Sequence, residues 1–411
     1  VSEFLCGIDV GTTKICALIG ELDDENRLRV IGAGRVQAQG LRRGVVVSPA
    51  EVTAAIGQAV TEAEASADQA MEKAYVGIAG SHINAIGSRG VIAVGRSGRS
   101  INREDAQRAL EQARNIALPH NRDVIHIVPR SYAVDDQPGI QDPVGMFGYR
   151  LEVDVSIITG ASSAITNLVH CVQANGVAIQ DLVLEPLASA EAVLTDDERR
   201  LGVALVDIGG GTTDLAVYLE GAPWHTTVMD LGGEHFIKDV ATGLRMPYGK
   251  AEALIKQYGD VLPDRVPLDA EVKSGAFGQE AQQIVNLRTL AEILNARGEE
   301  VVDLLLREVK RSGYDDLLPA GIVLTGGVAQ LNGLADLSEE RLQWPVRIGR
   351  PSGIATSILD LSSPEYATAV GLLLWGQRRG TVSRVAEPPR TPFLERAGRW
   401  LRSLLPVPAT P

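Results

Sequence analysis

Aromatic residues are scarce in this chain. Phe, Trp and Tyr make up 4% of it, against 45% for hydrophobic residues of all kinds, so its cores must be aliphatic. Cysteine is nearly absent: Cys6, Cys16 and Cys171 are scattered, with no CxxC pair to serve a metal or redox motif. Cys6 and Cys16 fall in apolar strand patterns and read as small core residues. The six histidines show no metal-ligand spacing. Positive charge is in deficit, with a formal net charge of −13. No global basic field draws phosphates, which argues against general nucleic-acid binding. No apolar run approaches about 18 residues, so no segment is expected to span a bilayer. The N-terminus lacks a basic region followed by a long apolar run, so no signal peptide is expected and the chain reads as cytoplasmic. Its 411 residues favour two or more domains.

What the chain does contain is glycine set between strands. In residues 205–218 an apolar run ends in Asp207; Gly209, Gly210 and Gly211 follow, then Thr212, Thr213 and an alternating run. This predicts a β-hairpin with an open, amide-rich tip. Glycines let backbone N–H groups approach an anion, threonine hydroxyls add donors, and the aspartate suits a magnesium ion or its water shell. The pattern recurs in residues 7–20 with Asp9, Gly11, Thr12 and Thr13; its turn is two residues shorter and adds Lys14. One such hairpin is an ordinary Gly-Thr turn. Two copies, each with Asp at the strand end, suggest duplicated halves clamping one phosphate chain from both sides.

The rest reads as α/β units. Residues 28–36 form a strand. A helix starts at Ser48-Pro49, with serine as its cap, and runs towards Ala67; residues 74–78 form a short buried strand. From about Ser81 a β-α-β-β block looks like a small inserted domain. It has strands in 87–95, 123–134 and 149–159, a helix capped by Asn102, and a loop over 135–145. A helix over 162–174 and a strand over 177–184 precede a helix beginning at Glu185. After the second hairpin come a strand over 223–230 and a mostly helical stretch to about Arg311, polar near 260–280. Residues 321–329 give a third strand-to-glycine junction, where Gly326 and Gly327 at a helix start suit a nucleotide; a plain tight turn is the other reading. Gly32-Ala33-Gly34 lacks the third glycine of a dinucleotide fingerprint, and residues 243–250 have the wrong spacing for a P-loop.

Three glycine junctions in this order resemble the actin, sugar-kinase and heat-shock ATPase superfamily. The runs 80–83, 124–130, 143–146, 184–190, 201–218 and 322–333 resemble the FtsA family of bacterial cell-division proteins. The resemblance extends to about Trp375 and is weakest over 262–306. It implies an actin-like, two-lobed α/β ATPase fold. Subdomain 1A would be 1–82 and 163–190, the inserted subdomain 1C 83–162, subdomain 2A 191–231 and 307–380, and subdomain 2B 232–306. It implies ATP and Mg2+ as ligands. Asp9 and Asp207 would hold the metal through waters; Gly11, Thr12, Thr13, Lys14, Gly209, Gly210, Gly211, Thr212 and Thr213 would grip the β- and γ-phosphates; Gly326 and Gly327 would face the α-phosphate and adenine. Glu252 and Lys256 would contact the ribose, although their i, i+4 spacing alone describes a surface pair worth a few tenths of a kcal/mol. Hydrolysis would be slow, with Glu185 positioning water beside Asp207; a local capping role for Glu185 is the alternative. The partners implied are the FtsZ C-terminal tail on subdomain 2B, further copies of the chain in filaments, and later division proteins on subdomain 1C. Arg288 would be a tail contact, or simply an exposed helix arginine.

Two other functions share such a core. A small-molecule kinase needs a general base between the lobes, and no extra aspartate motif marks one. A pilus-assembly relative would differ in its partner. The C-terminus reads without help from the family. Residues 380–391, with Pro388-Pro389, form a linker, which the domain division places at 381–391; Pro392 starts a helix over 392–405. Phe393, Leu394, Ala397, Trp400, Leu401, Leu404 and Leu405 share one face. Residues 378–402 carry seven arginines and two glutamates, a net +5 on an acidic chain. A basic amphipathic helix on a tether is expected to be an interfacial anchor on an anionic membrane, each arginine adding about 1 kcal/mol; a helix docked on the protein's own body is the other reading, one that rarely needs a proline-rich tether and concentrated positive charge. The resemblance places that membrane at the division septum, on its cytoplasmic face.

Overall fold

The computed structural model describes residues 3–95, 99–277, 282–356, 358 and 360–383. Two sheets share one plan. The first begins with β1 (Glu3–Val10) and β2 (Lys14–Leu22), antiparallel from Glu3↔Leu22 to Val10↔Ile15. β3 (Leu28–Gln37) continues the meander. A small hairpin, β4 (Leu41–Arg42) with β5 (Val45–Val46), leads to α1 (Pro49–Ala67). Ser48 takes the cap position, as expected, but its hydroxyl makes no capping bond. α1 buries Val52, Ala55, Ile56, Ala59, Val60 and Ala63, a single helical stripe laid on the sheet. β6 (Lys73–Ile78) then pairs parallel to β1.

The insertion follows: β7 (Asn84–Ala93), α2 (Arg103–Arg114), β8 (Arg122–Val134), β9 (Gln137–Ile140) and β10 (Arg150–Ala161), in the antiparallel order β7-β10-β8-β9. Leu151, Val153, Val155 and Ile157 alternate inward on β10 and pack with Ala109 and Ala113 of α2. Asn102 caps α2 in a reciprocal box with Asp105. β9 lies where a loop was expected. Asp135 and Asp136 adopt left-handed conformations, turning the chain back so that Tyr132 pairs with Ile140.

α3 (Ser162–Gln173) and β11 (Ala178–Leu184) return to the first sheet, and α4 (Glu185–Val193) and α5 (Asp196–Leu201) cross to the second. There β12 (Val203–Ile208), β13 (Thr213–Leu219) and β14 (Ala222–Met229) repeat the meander. α6 (Gly233–Gly243), α7 (Tyr248–Tyr258), a hairpin of β15 (Glu271–Gly275) and β16 (Gln282–Asn286), and α8 (Leu287–Ser312) build the outer part. That hairpin corrects the expectation of a helical stretch: its polar strands carry no clean alternation. β17 (Ile322–Thr325), α9 (Leu334–Leu342), β18 (Val346–Ile348), β19 (Ala355–Thr356) and α10 (Ala367–Ser383) complete the described chain.

The first sheet runs β11-β6-β1-β2-β3-β19 and the second β14-β13-β12-β17-β18. Read from opposite ends, each is a meander whose first strand pairs parallel with a later strand, β1 with β6 and β12 with β17. β12, β13 and β17 are buried at every residue, as expected of strands covered on both faces. Gly326-Gly327 opens a single 3-10 turn, Val328–Gln330, and not the α-helix expected there. α10 runs to Ser383, three residues into the expected linker; the rest of that linker and the amphipathic helix over 392–405, with Phe393, Leu394, Trp400, Leu401, Leu404 and Leu405, lie outside the described residues.

Candidate functional site

Both hairpins present their tips to one cleft, and the tips touch. A Cβ on Gly210 would fall 2.0 Å from Thr13 Cγ2, and one on Gly211 would fall 2.9 Å from Thr12 Cγ2. Only glycine permits that approach. The second tip is closed by Gly209 N–H donating to Thr212 O at 2.9 Å. It is fastened to α6 by Gly233 N–H to Gly209 O at 2.9 Å and Glu234 N–H to Gly210 O at 2.8 Å. On the first tip, Gly44 N–H donates to Thr12 Oγ1 at 3.2 Å and Ala38 N–H to Thr13 O at 3.0 Å. Gly326, at φ +86°, completes the third side; a Cβ there would lie 2.4 Å from Asp207 Oδ1.

Asp9, Gly11, Thr12, Thr13 and Lys14 line the cleft from the first hairpin, and Asp207, Gly209, Gly210 and Thr212 from the second. Gly326, Gly327 and Glu185 close it, and the space is about 640 Å³ including its open mouth. Other expected residues stand elsewhere. Gly211 packs on Thr12 outside the lining. Thr213 is fully buried, its hydroxyl donating to Leu231 O at 2.8 Å. Glu252 and Lys256 form an exposed 2.7 Å ion pair on α7, away from the lining residues. Arg288, on α8, holds Asp264 at 2.7 Å and is partly buried.

Four site residues were not singled out from the sequence. Asp214, Glu365 and Thr368 line the cleft, and Ser189 stands behind Asp207. Asp214 had a signal: it is an acid inside an otherwise uncharged, fully buried strand. Glu365 and Thr368 had none, because long-range folding alone brings them in.

The electrostatics are lopsided. Asp9, Glu185, Asp207 and Asp214 share one basic lining residue, Lys14. Its ammonium stands 3.6 Å from Asp9 Oδ2 and donates to Glu365 O. Burial raises the Asp9 carboxyl against the pull of Lys14, and raises Asp207 against the hydrogen bond from Ser189. Glu185 and Asp214 are pushed well above the ordinary carboxylate range, first by burial and then by the neighbouring acids. Burial pulls Lys14 down, but the surrounding carboxylates, Asp9 foremost, outweigh it and raise it. Asp214 Oδ1 is buried with no hydrogen-bond partner among the described residues. Such a set fits an additional cation. The carboxyl oxygens suit a cation held through its waters; among the described residues no group of three or more His, Cys, Asp or Glu side chains could hold a metal ion directly.

Known proteins share this architecture. The family profile described as Cell division protein FtsA matches residues 204–371, and that of the SHS2 domain inserted in FtsA matches residues 80–159. The cell division protein FtsA of Pseudomonas aeruginosa is 38% identical over 409 residues, 97% of this chain and 98% of that protein. The chain belongs to the FtsA family. FtsA of Bacillus subtilis is 36% identical over 93% of this chain and 85% of its own. Among solved structures, the PilM–PilN type IV pilus biogenesis complex aligns with TM-score 0.66 at 17% identity, over 91% of this chain and 98% of that one. MreB5 of Spiroplasma citri bound to ADP aligns with TM-score 0.56 at 14% identity, over 93% and 99%. At these identities the likeness concerns the fold, which is actin-like with the FtsA-type SHS2 insertion. This FtsA-family chain is thus an actin-like cell-division protein.

Proposed function

We propose that the chain binds magnesium-ATP between its two hairpins and polymerises on the cytoplasmic face of the cell membrane. There it anchors FtsZ filaments at the division septum and recruits later division proteins. The observation that carries the nucleotide part is the cleft itself: two glycine-threonine tips in contact, over three buried aspartates and the half-buried Glu185, with Lys14 as the basic residue among the described lining residues. A bound magnesium ion would supply neutralisation of the phosphate charge. The chain's own parts do the rest. Asp9 and Asp207 order the ion's waters. Backbone amides of Gly11 and Gly210, with Thr12, Thr13, Thr212 and Lys14, hold the β- and γ-phosphates; Gly209, whose N–H closes the turn on Thr212 O, lets the phosphates approach, and Gly211 and Thr213 support the second tip. Gly326 and Gly327 give the nucleotide room beside Asp207, and Glu252 and Lys256 reach the ribose from α7. Glu185, at the start of α4, orients water for slow hydrolysis.

The subdomain division proposed follows the chain: 1A at 1–82 and 163–190, 1C at 83–162, 2A at 191–231 and 307–380, 2B at 232–306. Subdomain 1C serves later division proteins and 2B the FtsZ tail. Arg288 contacts a tail carboxylate by releasing Asp264, its present partner. Among the described residues no helix is long and apolar enough to cross a membrane. Attachment is therefore assigned to the basic, amphipathic segment 392–405, and filament formation strengthens it by multivalency. Sedimentation with ATP, anionic liposomes and FtsZ tests the whole reading. The full chain is expected to carry FtsZ to the liposomes, whereas Trp400→Glu, Leu401→Glu or removal of residues 392–411 releases the protein and leaves ATP binding intact. Equal flotation of the truncated and full chains places the anchor elsewhere. Failure of an FtsZ tail peptide to bind the intact protein overturns the FtsZ assignment.

A further inference from the structure

We propose that Ser189 and Thr368 are positioning residues, which lock the rotation of the Asp207 carboxylate so that its Oδ1 faces the nucleotide cleft. The inference rests on reading that cleft as a magnesium-nucleotide site. Ser189 lies on α4, one turn beyond Glu185, and is fully buried. Its hydroxyl donates to Asp207 Oδ2 at 2.6 Å. Thr368, at the start of α10, places Oγ1 3.0 Å from Ser189 Oγ and 3.3 Å from Asp207 Oδ2.

Each hydroxyl has one proton. That of Ser189 goes to Asp207, so Thr368 is the donor in the contact between the two hydroxyls. Whether the Thr368 proton points at Ser189 Oγ or at Asp207 Oδ2, the pair loads one carboxylate oxygen. The other is left facing Gly326, where a Cβ would stand 2.4 Å from it. A terminal carboxylate otherwise turns over a broad, soft torsion. The Ser189 hydrogen bond, with Thr368 Oγ1 held against the same pair of oxygens, removes that freedom and gives the metal's water shell a fixed acceptor.

The placement of Thr368 ties it to the whole cleft. Just before it, Glu365 O accepts from Lys14 of the first hairpin. Pro364 O accepts from Gly326 N–H at 3.2 Å and from Thr325 Oγ1 at 3.3 Å at the third junction. Residues 364–368 therefore touch all three glycine junctions. Ser189 shares its helix with Glu185, so the same pair sets the spacing between Asp207 and the water-orienting acid.

The test titrates a fluorescent ATP analogue into the full chain, over a magnesium series and in EDTA, with melting temperatures recorded. Thr368→Val keeps the shape and removes the hydroxyl; it is expected to raise the magnesium concentration for half-maximal binding about fivefold, and Ser189→Ala about tenfold. Affinity in EDTA stays unchanged, and Thr368→Ser restores the magnesium requirement to within about twofold of the native value. If Ser189→Ala does not fold, the two Thr368 variants decide. An unchanged magnesium requirement in Thr368→Val overturns the proposal, as does a parallel loss of affinity with and without magnesium, which a purely structural role produces. Asp207→Ala is the reference: if it too leaves the magnesium requirement unaltered, the nucleotide reading fails and this inference falls with it.

Discussion

Asp105 in the insertion and the cleft aspartates Asp9, Asp207 and Asp214 are all buried, with the half-buried Glu185 beside the latter, and they are furnished in opposite ways. Asp105, 1% exposed, receives Arg99 at 2.6 and 2.8 Å, Arg108, and the Asn102 N–H at 3.0 Å. The Arg99 hydrogen bonds, above all, hold its carboxyl well below the ordinary range. Asp9, Glu185, Asp207 and Asp214 have Lys14 among them, and burial lifts all four. Asp105 is complete as it stands. The cleft acids have no comparable set of partners among the described residues, which is what a bound ligand bringing positive charge would supply. Saturated buried acids belong to the fold; undersaturated ones mark a site where something binds.

Removing the saturated acid has the largest expected effect on stability. Asp105→Ala should cost about 2–3 kcal/mol in chemical denaturation, because it removes the reciprocal half of the α2 capping box and leaves Arg99 and Arg108 without their carboxylate. The folded-state carboxyl is depressed, so its contribution is present above the ordinary carboxylate range and is lost as pH falls through the folded value. A loss under about 0.5 kcal/mol, the level of an ordinary surface pair, would break the comparison from that side.

The cleft acids carry the opposite sign. Their folded-state carboxyls are raised, so their contribution is full below the ordinary carboxylate range and declines as pH rises through the raised values. The ligand-free chain should therefore lose stability as pH rises above the ordinary carboxylate range, and saturating magnesium-ATP should flatten that decline. Asp214→Asn should stabilise the ligand-free chain at a pH above the ordinary carboxylate range, read by urea denaturation, because it removes a carboxyl whose ionisation burial and the neighbouring acids oppose. Destabilisation would mean that Asp214 is held by partners like those of Asp105.

The smallest effect is expected at α7. Lys256→Ala should change stability by less than about 0.5 kcal/mol, since the pair with Glu252 is exposed. Its ATP affinity is the sharper reading: a fall of at least about threefold supports the ribose contact, and an unchanged value leaves a surface pair.

Local pattern explains what was legible in the sequence. Each hairpin writes its strand, aspartate, glycines and threonines in one contiguous run, so the tips and their acids could be read directly. The insertion could be read from its alternating strands and the Asn102 cap. β9 was hidden because two left-handed aspartates resemble a loop, and β15–β16 because polar strands lack an apolar face. Asp214 was visible as an acid in a buried strand, yet its meaning depends on neighbours supplied by other segments. Thr368 stands 161 residues from Asp207 along the chain, and no local pattern announces their meeting.

The central claim is that the two hairpins form one magnesium-nucleotide site. Calorimetric titration of magnesium-ATP into the full chain, with Gly210→Val and Asp207→Ala alongside, tests it most directly. The account predicts saturable binding to the native chain and a loss of about a hundredfold in either variant, through filling of the tip contact in one and removal of a metal-ordering carboxylate in the other. Native affinity in both variants would contradict it.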